Sequence, residues 1–156
     1  MEFKELLAAF AAKHEITELD GADDTAELYA EGVRVELLND SRTHSLLAYA
    51  EIGHPPPDAD DKFAATMLET NFLLRGTEGA TLCRNPETHA YALLRSFPLA
   101  STDVETLAAG LESLASQTES WRKALAGLRL AETEQTKHEE AGGSHHDMLS
   151  SGYFHV

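Results

Sequence analysis

Three scarcities narrow what this chain can be. It has one cysteine, Cys83, so no disulfide can close within the chain, and that usage suits a reducing, cytosolic setting. It has no run approaching 18 apolar residues, which argues against a membrane-spanning helix. It is also poor in positive charge, with 12 Lys and Arg against 27 Asp and Glu and a formal net charge of −15. Such a field repels phosphates and anionic lipid, so neither nucleic acid nor membrane is an expected partner, whereas a basic or apolar partner is favoured. The first fifteen residues, MEFKELLAAFAAKHE, lack a basic region followed by a cleavage site and do not read as a secretory signal peptide.

Catalytic signatures are scarce as well. GTEGAT at 76–81 has neither the lysine nor the spacing of a phosphate loop, and no G-x-S-x-G or H-E-x-x-H motif occurs. DGADDTAE at 20–27 is carboxylate-rich but out of register for a calcium loop, and reads as a turn. Cys83 sits in an apparent strand as a small buried hydrophobe. His138, His145, His146 and His155, with Glu139, Glu140 and Asp147, include metal-competent groups, but they lie in a Gly-Gly-Ser-containing tail that offers little to fix them. The expectation is therefore a protein without metal or cofactor and not an enzyme.

What is present is a hydrophobic content of 42% over 156 residues, enough for one domain with a sizeable core. Phe3, Leu6, Leu7 and Phe10 recur at helical spacing and predict an amphipathic first helix. After the turn at 20–24 come two or three strands, including VRVELL at 33–38 and HSLLAYAEIG at 44–53. HPPPD at 54–58 ends them, and a second helix is expected over about 59–75, capped by Asp58 and closed at Gly76. ATLCR and HAYALLRSF flank the turn NPET at 85–88 as a second hairpin. Thr102 and Glu105 suggest a capping box for a last helix, whose stripe from Leu107 to Leu128 includes Trp121 as a core residue. The chain divides into a domain at 1–130 and a polar tail at 131–156.

The second helix carries more apolar surface than one face needs. Phe63, Met67, Thr70 and Leu74 form one stripe, and Ala64, Leu68, Asn71 and Phe72 a second beside it. Contact with a second copy across a two-fold axis through Phe63, Met67, Thr70 and Leu74 is the expectation. Burial on all sides within one subunit is the alternative.

ETNFLLRGTEGATL, then NPETHAYALLRSFPL, then ESLASQTESWRKAL resemble, in order and spacing, the type III secretion chaperones of the Tir-chaperone type. The resemblance covers residues 1 to about 128. It departs at Glu78 and His89, where the family usually has glycine, at some expected cost in turn stability. It implies an α+β homodimer of order α-β-β-β-α-β-β-α, a twisted antiparallel sheet packed with helices, in the cytoplasm of a Gram-negative bacterium. Its partner is a secreted effector, whose N-terminal segment is held extended and export-competent without ATP. Phe3, Leu6, Leu7, Phe10, Leu28, Val33, Val35, Leu47 and Tyr49 are the candidate effector groove, with core burial of most of them as the plainer alternative. Docking of Tyr153, Phe154 and Val156 into an apolar groove, this subunit's or a neighbour's, as an effector mimic is one reading of the tail; a solvated tail and one ordered by crystal contacts are the alternatives. The rival functions are a metal-dependent hydrolase using the tail histidines and a regulatory interaction module unrelated to secretion.

Overall fold

Strand alternation decides which side chains go inside. The computed structural model describes residues 1–142 apart from 17, 18, 20 and 21, so the docking read for Tyr153, Phe154 and Val156, and the tail histidines 145, 146 and 155, lie outside the described residues. The elements are α1 (Phe3–Lys13), β1 (Thr25–Ala30), β2 (Val33–Asp40), β3 (Ser45–Gly53), α2 (Asp60–Thr70), β4 (Thr81–Arg84), β5 (Tyr91–Pro98) and α3 (Val104–Gly142). The expected order and α+β class hold. The five strands form one antiparallel sheet of order β1-β2-β3-β5-β4, with β1 and β4 as its edges.

One face of that sheet is mainly apolar, with Arg95 and Arg84 as charged residues on it. Leu28 pairs with Val35, Leu37 with Ala48, Ala50 with Leu93 and Leu82 with Leu93, and all of these side chains are buried. α1 sets Phe3, Leu6, Leu7 and Phe10 onto this face, and α3 crosses it with Leu107, Leu111, Leu114 and Leu125. Two close approaches fix α3. A Cβ on Gly110 would lie 2.3 Å from the Phe97 ring, so only glycine lets helix and strand meet there. Gly53, at φ +128° beside an irregularity in the β3–β5 pairing, lies close under Leu125. The α3 cap is Asp103, whose Oδ1 accepts the Thr106 N–H at 2.8 Å; Thr102 instead donates its hydroxyl to the Pro98 carbonyl at 2.7 Å. The Thr102–Glu105 capping box is therefore replaced by an aspartate one residue later.

Helix α2 covers the β4–β5 end of the same face. Phe63 meets Tyr91 and Trp121 edge-on at 5.0 and 5.8 Å, and the Tyr91 hydroxyl donates to Asp60 Oδ1 at 2.9 Å. Asp58 does not cap it, since it lies in the 3-10 turn Pro57–Ala59 that leads in. Nor does the helix reach Gly76. It stops at Thr70 and passes into a 3-10 turn, Phe72–Leu74, in which Leu73 and Leu74 take left-handed backbone at φ 58° and 52°. Asn71 accounts for this stop. Its side chain donates to the Leu82 carbonyl at 2.9 Å and accepts the Leu82 N–H at 2.8 Å, acting as a one-residue extension of the sheet at edge strand β4. At the other end, α3 continues through the polar stretch after residue 130 as far as Gly142.

Candidate functional site

The other face of the sheet is open, as are several surface features of the helical face, three of which bear on the candidate residues. The largest feature is a trough of about 650 Å³ between α1 and the start of β1. Phe3, Leu7, Ala8 and Ala11 of α1 form one wall, and Ile16, Leu19 and Ala26 face them. The Lys4 ammonium donates to Asp23 at 2.7 Å across the rim. That contact holds the Asp23 carboxyl below its usual range and raises the Lys4 ammonium. Among the described residues β1 pairs only with β2, so one row of its backbone N–H and C=O groups faces outward beside the trough. Aliphatic walls next to a free strand edge suit an extended apolar segment, which the edge can hold by main-chain hydrogen bonds.

The second feature is a smaller cavity near the ends of α1 and β1, to which Phe10 and Leu28 belong. The third is an apolar patch at the end of α2. Leu68, 74% exposed, and the consecutive Phe72, Leu73 and Leu74, 73%, 62% and 41% exposed, set their large side chains in water. Monomeric soluble proteins rarely leave such a patch uncovered.

The candidate groove residues fall into separate places. Phe3 and Leu7 line the trough, and Phe10 and Leu28 the smaller cavity. Leu6, Val33 and Val35 are completely buried in the core. Leu47 and Tyr49 are half-buried on the opposite face of the sheet, near Leu38 and Leu94. There the Tyr49 hydroxyl is enclosed beside Asn85, and burial pushes its pKa up. Of the candidate dimer residues, Phe63 and Met67 are buried in this subunit's own core, Thr70 is half-buried and Leu74 is exposed. Sequence reasoning missed Ile16 and Leu19. Their spacing of three in HEITEL was the available signal, hidden by the carboxylates around it.

Cys83 is partly buried with its thiol pushed up by desolvation, and its nearest polar contact is the Ala92 carbonyl at 3.6 Å. That is an inert thiol. Among the described residues no cluster of three or more His, Cys, Asp or Glu is placed to hold a metal ion, and no helix is long and apolar enough to cross a membrane.

Several solved structures share this fold. The HopA1–SchA chaperone–effector complex matches with a TM-score of 0.65 at 23% identity, over 78% of this chain and 93% of that one. The heterodimeric ExoU–SpcU complex from the type III secretion system of Pseudomonas aeruginosa gives 0.61 at 18% identity, over 74% and 94%. YbjN from E. coli, described as a putative transcription regulator, gives 0.57 at 13% identity, over 80% and 92%, so the fold alone does not name a function. No curated protein matches the sequence. The family model of the Tir chaperone proteins spans α1 through the Trp121 turn of α3, residues 5–122, and over that span the chain belongs to the Tir chaperone protein (CesT) family.

Proposed function

We propose that this protein is a cytoplasmic type III secretion chaperone that holds the N-terminal segment of a secreted effector in extended form, without ATP and without catalysis. The observation that carries the reading is the trough between α1 and the free edge of β1, in a chain of this family. It supplies what a non-globular client needs. Aliphatic walls take alternate side chains, and a strand edge takes the backbone between them. The negative charge of the chain favours a client of opposite sign.

The same reading includes a homodimer. Since Phe63 and Met67 are covered within the subunit, the two-fold contact runs over Thr70, Leu74 and the exposed Leu68, Phe72 and Leu73. Isologous pairing of that patch hides it and leaves both troughs free.

Calorimetry with the N-terminal segment of the effector encoded beside this gene is the test. Saturable binding is expected, unchanged by ATP. Ala8→Glu is exposed on the trough wall and leaves the core untouched, so it should weaken binding by about tenfold or more, the cost of setting a charge against an apolar client. No binding by the folded protein would sink the proposal.

A further inference from the structure

The β1–β2 hairpin makes an expensive choice at its tip. Ala30 pairs with Val33, so the loop is the two residues Glu31 and Gly32, both in left-handed backbone at φ 48° and 79°. That turn ordinarily takes Asn-Gly, and a glutamate there is strained. Nothing in the fold uses the Glu31 side chain, which makes no hydrogen bond or ion pair among the described residues. Strain held at a surface position without a structural return points to function.

Glu31 stands at a cavity of about 270 Å³ between the ends of α1 and β1 and the adjoining turn of α3. Its lining is mixed: Phe10, Leu28 and Leu111 supply the apolar part, and Glu112 brings a second carboxylate, also without an ion-pair partner among the described residues. The neighbouring cations are engaged elsewhere. Lys13 pairs with Glu105, and Arg34 with Glu27 and Glu36 on the other face of the sheet. The His14 ring packs 4.5 Å from that of Phe10. A space of that size has room for one long side chain rather than a folded segment.

We propose that this cavity takes an arginine side chain of the bound partner. The aliphatic stem lies against Phe10, Leu28 and Leu111, and the guanidinium meets Glu31 and Glu112. Arginine fits better than lysine because its planar group is weakly hydrated, stacks on rings and donates to two carboxylates at once. The inference rests on the chaperone reading and adds a sequence rule to it. Ile16 borders both the trough and this cavity, which lie toward opposite ends of β1, at Ala26 and Ala30. Along an extended partner that separation is about four residues, or roughly 13 Å at 3.3 Å each. The client therefore carries its arginine about four positions from the apolar residues that fill the trough.

The test uses the full chain, labelled with nitrogen-15, and two capped peptides: Leu-Leu-Ser-Gly-Ser-Arg and the same sequence ending in neutral citrulline. The arginine peptide is expected to shift the amides of Phe10, Leu28 to Gly32, Leu111 and Glu112. The citrulline peptide should bind about fivefold more weakly, as expected for two partly exposed ion pairs. An E31Q/E112Q double variant, checked for an unchanged thermal transition, should bind both peptides equally. Equal affinity of the two peptides for the parent protein, a preference that survives the double variant, or the absence of shifts at these residues would each overturn the proposal. An effector complex that forms at full affinity with E31Q/E112Q also removes the arginine cavity but leaves the chaperone reading intact. Only the failure of every effector complex removes that reading.

Discussion

Phe72→Glu tests the proposed two-fold contact most directly. Phe72 is 73% exposed, so the substitution removes no core contact, and the subunit should keep its fold. Fully covering a phenylalanine is worth about 1.5–3 kcal/mol, so covering the exposed part of Phe72 contributes roughly 1–2 kcal/mol per subunit. A two-fold contact uses each residue twice. Loss of both rings therefore costs association about 2–4 kcal/mol, or roughly 30- to 1,000-fold in Kd. Two glutamates facing each other across the axis add repulsion and desolvation to that figure. Sedimentation equilibrium at micromolar concentration, with circular dichroism as the fold check, reads the outcome. Parent protein should sediment as a dimer and the variant as a folded monomer. Met67→Glu makes an instructive contrast. Met67 is 3% exposed within the subunit, so a charge there should unfold the chain rather than split a dimer. A parent protein that stays monomeric at these concentrations, or a Phe72→Glu dimer of unchanged affinity, refutes the reasoning.

Asn71→Ala removes both hydrogen bonds to the Leu82 backbone and leaves its N–H and C=O unpaired, a loss of about 2–3 kcal/mol. Thermal unfolding should then shift down by roughly 4–10 °C, and an unchanged transition would show that the clamp carries no stability. Gly110→Ala gains about 1 kcal/mol of helix propensity but drives a methyl to 2.3 Å from Phe97, so chemical denaturation should show net destabilisation. The Asp103 carboxyl is held below its usual range, first by the Thr106 hydrogen bonds at the α3 cap. A lowered folded-state value means its stabilisation is complete above the unfolded value and fades as pH falls through the folded one. Melting curves for Asp103→Asn, which caps without titrating, should therefore converge on the parent's below about pH 4, and a constant gap between them at all pH values would contradict this.

The legible parts of this protein are those written in short-range pattern. Alternation in VRVELL and HSLLAYAEIG, the proline run at 55–57 and the Asn-Pro turn at 85–86 are each local, and each appears in the structure where the sequence put it. Glu78 and His89 stand where the resembling family usually has glycine, and both take left-handed backbone, at φ 49° and 61°. The end of α3 is illegible in the apolar pattern for the opposite reason. The apolar stripe stops near residue 128, but AETEQTKHEE at 131–140 is rich in good helix formers that need no core to cover them.

Side-chain period and composition are enough to set the order of elements, the inward residues of each strand and the sign of the charge. Tertiary structure alone decided which apolar residues are spent inside. Leu6 and Leu7 are neighbours on one helix, yet one is sealed in the core and the other reaches a trough, and Met67 and Leu68 divide in the same way. Helical period places residues on a face, but only the position of the opposing sheet edge and the stop at Asn71 determine how far around the helix that face is covered.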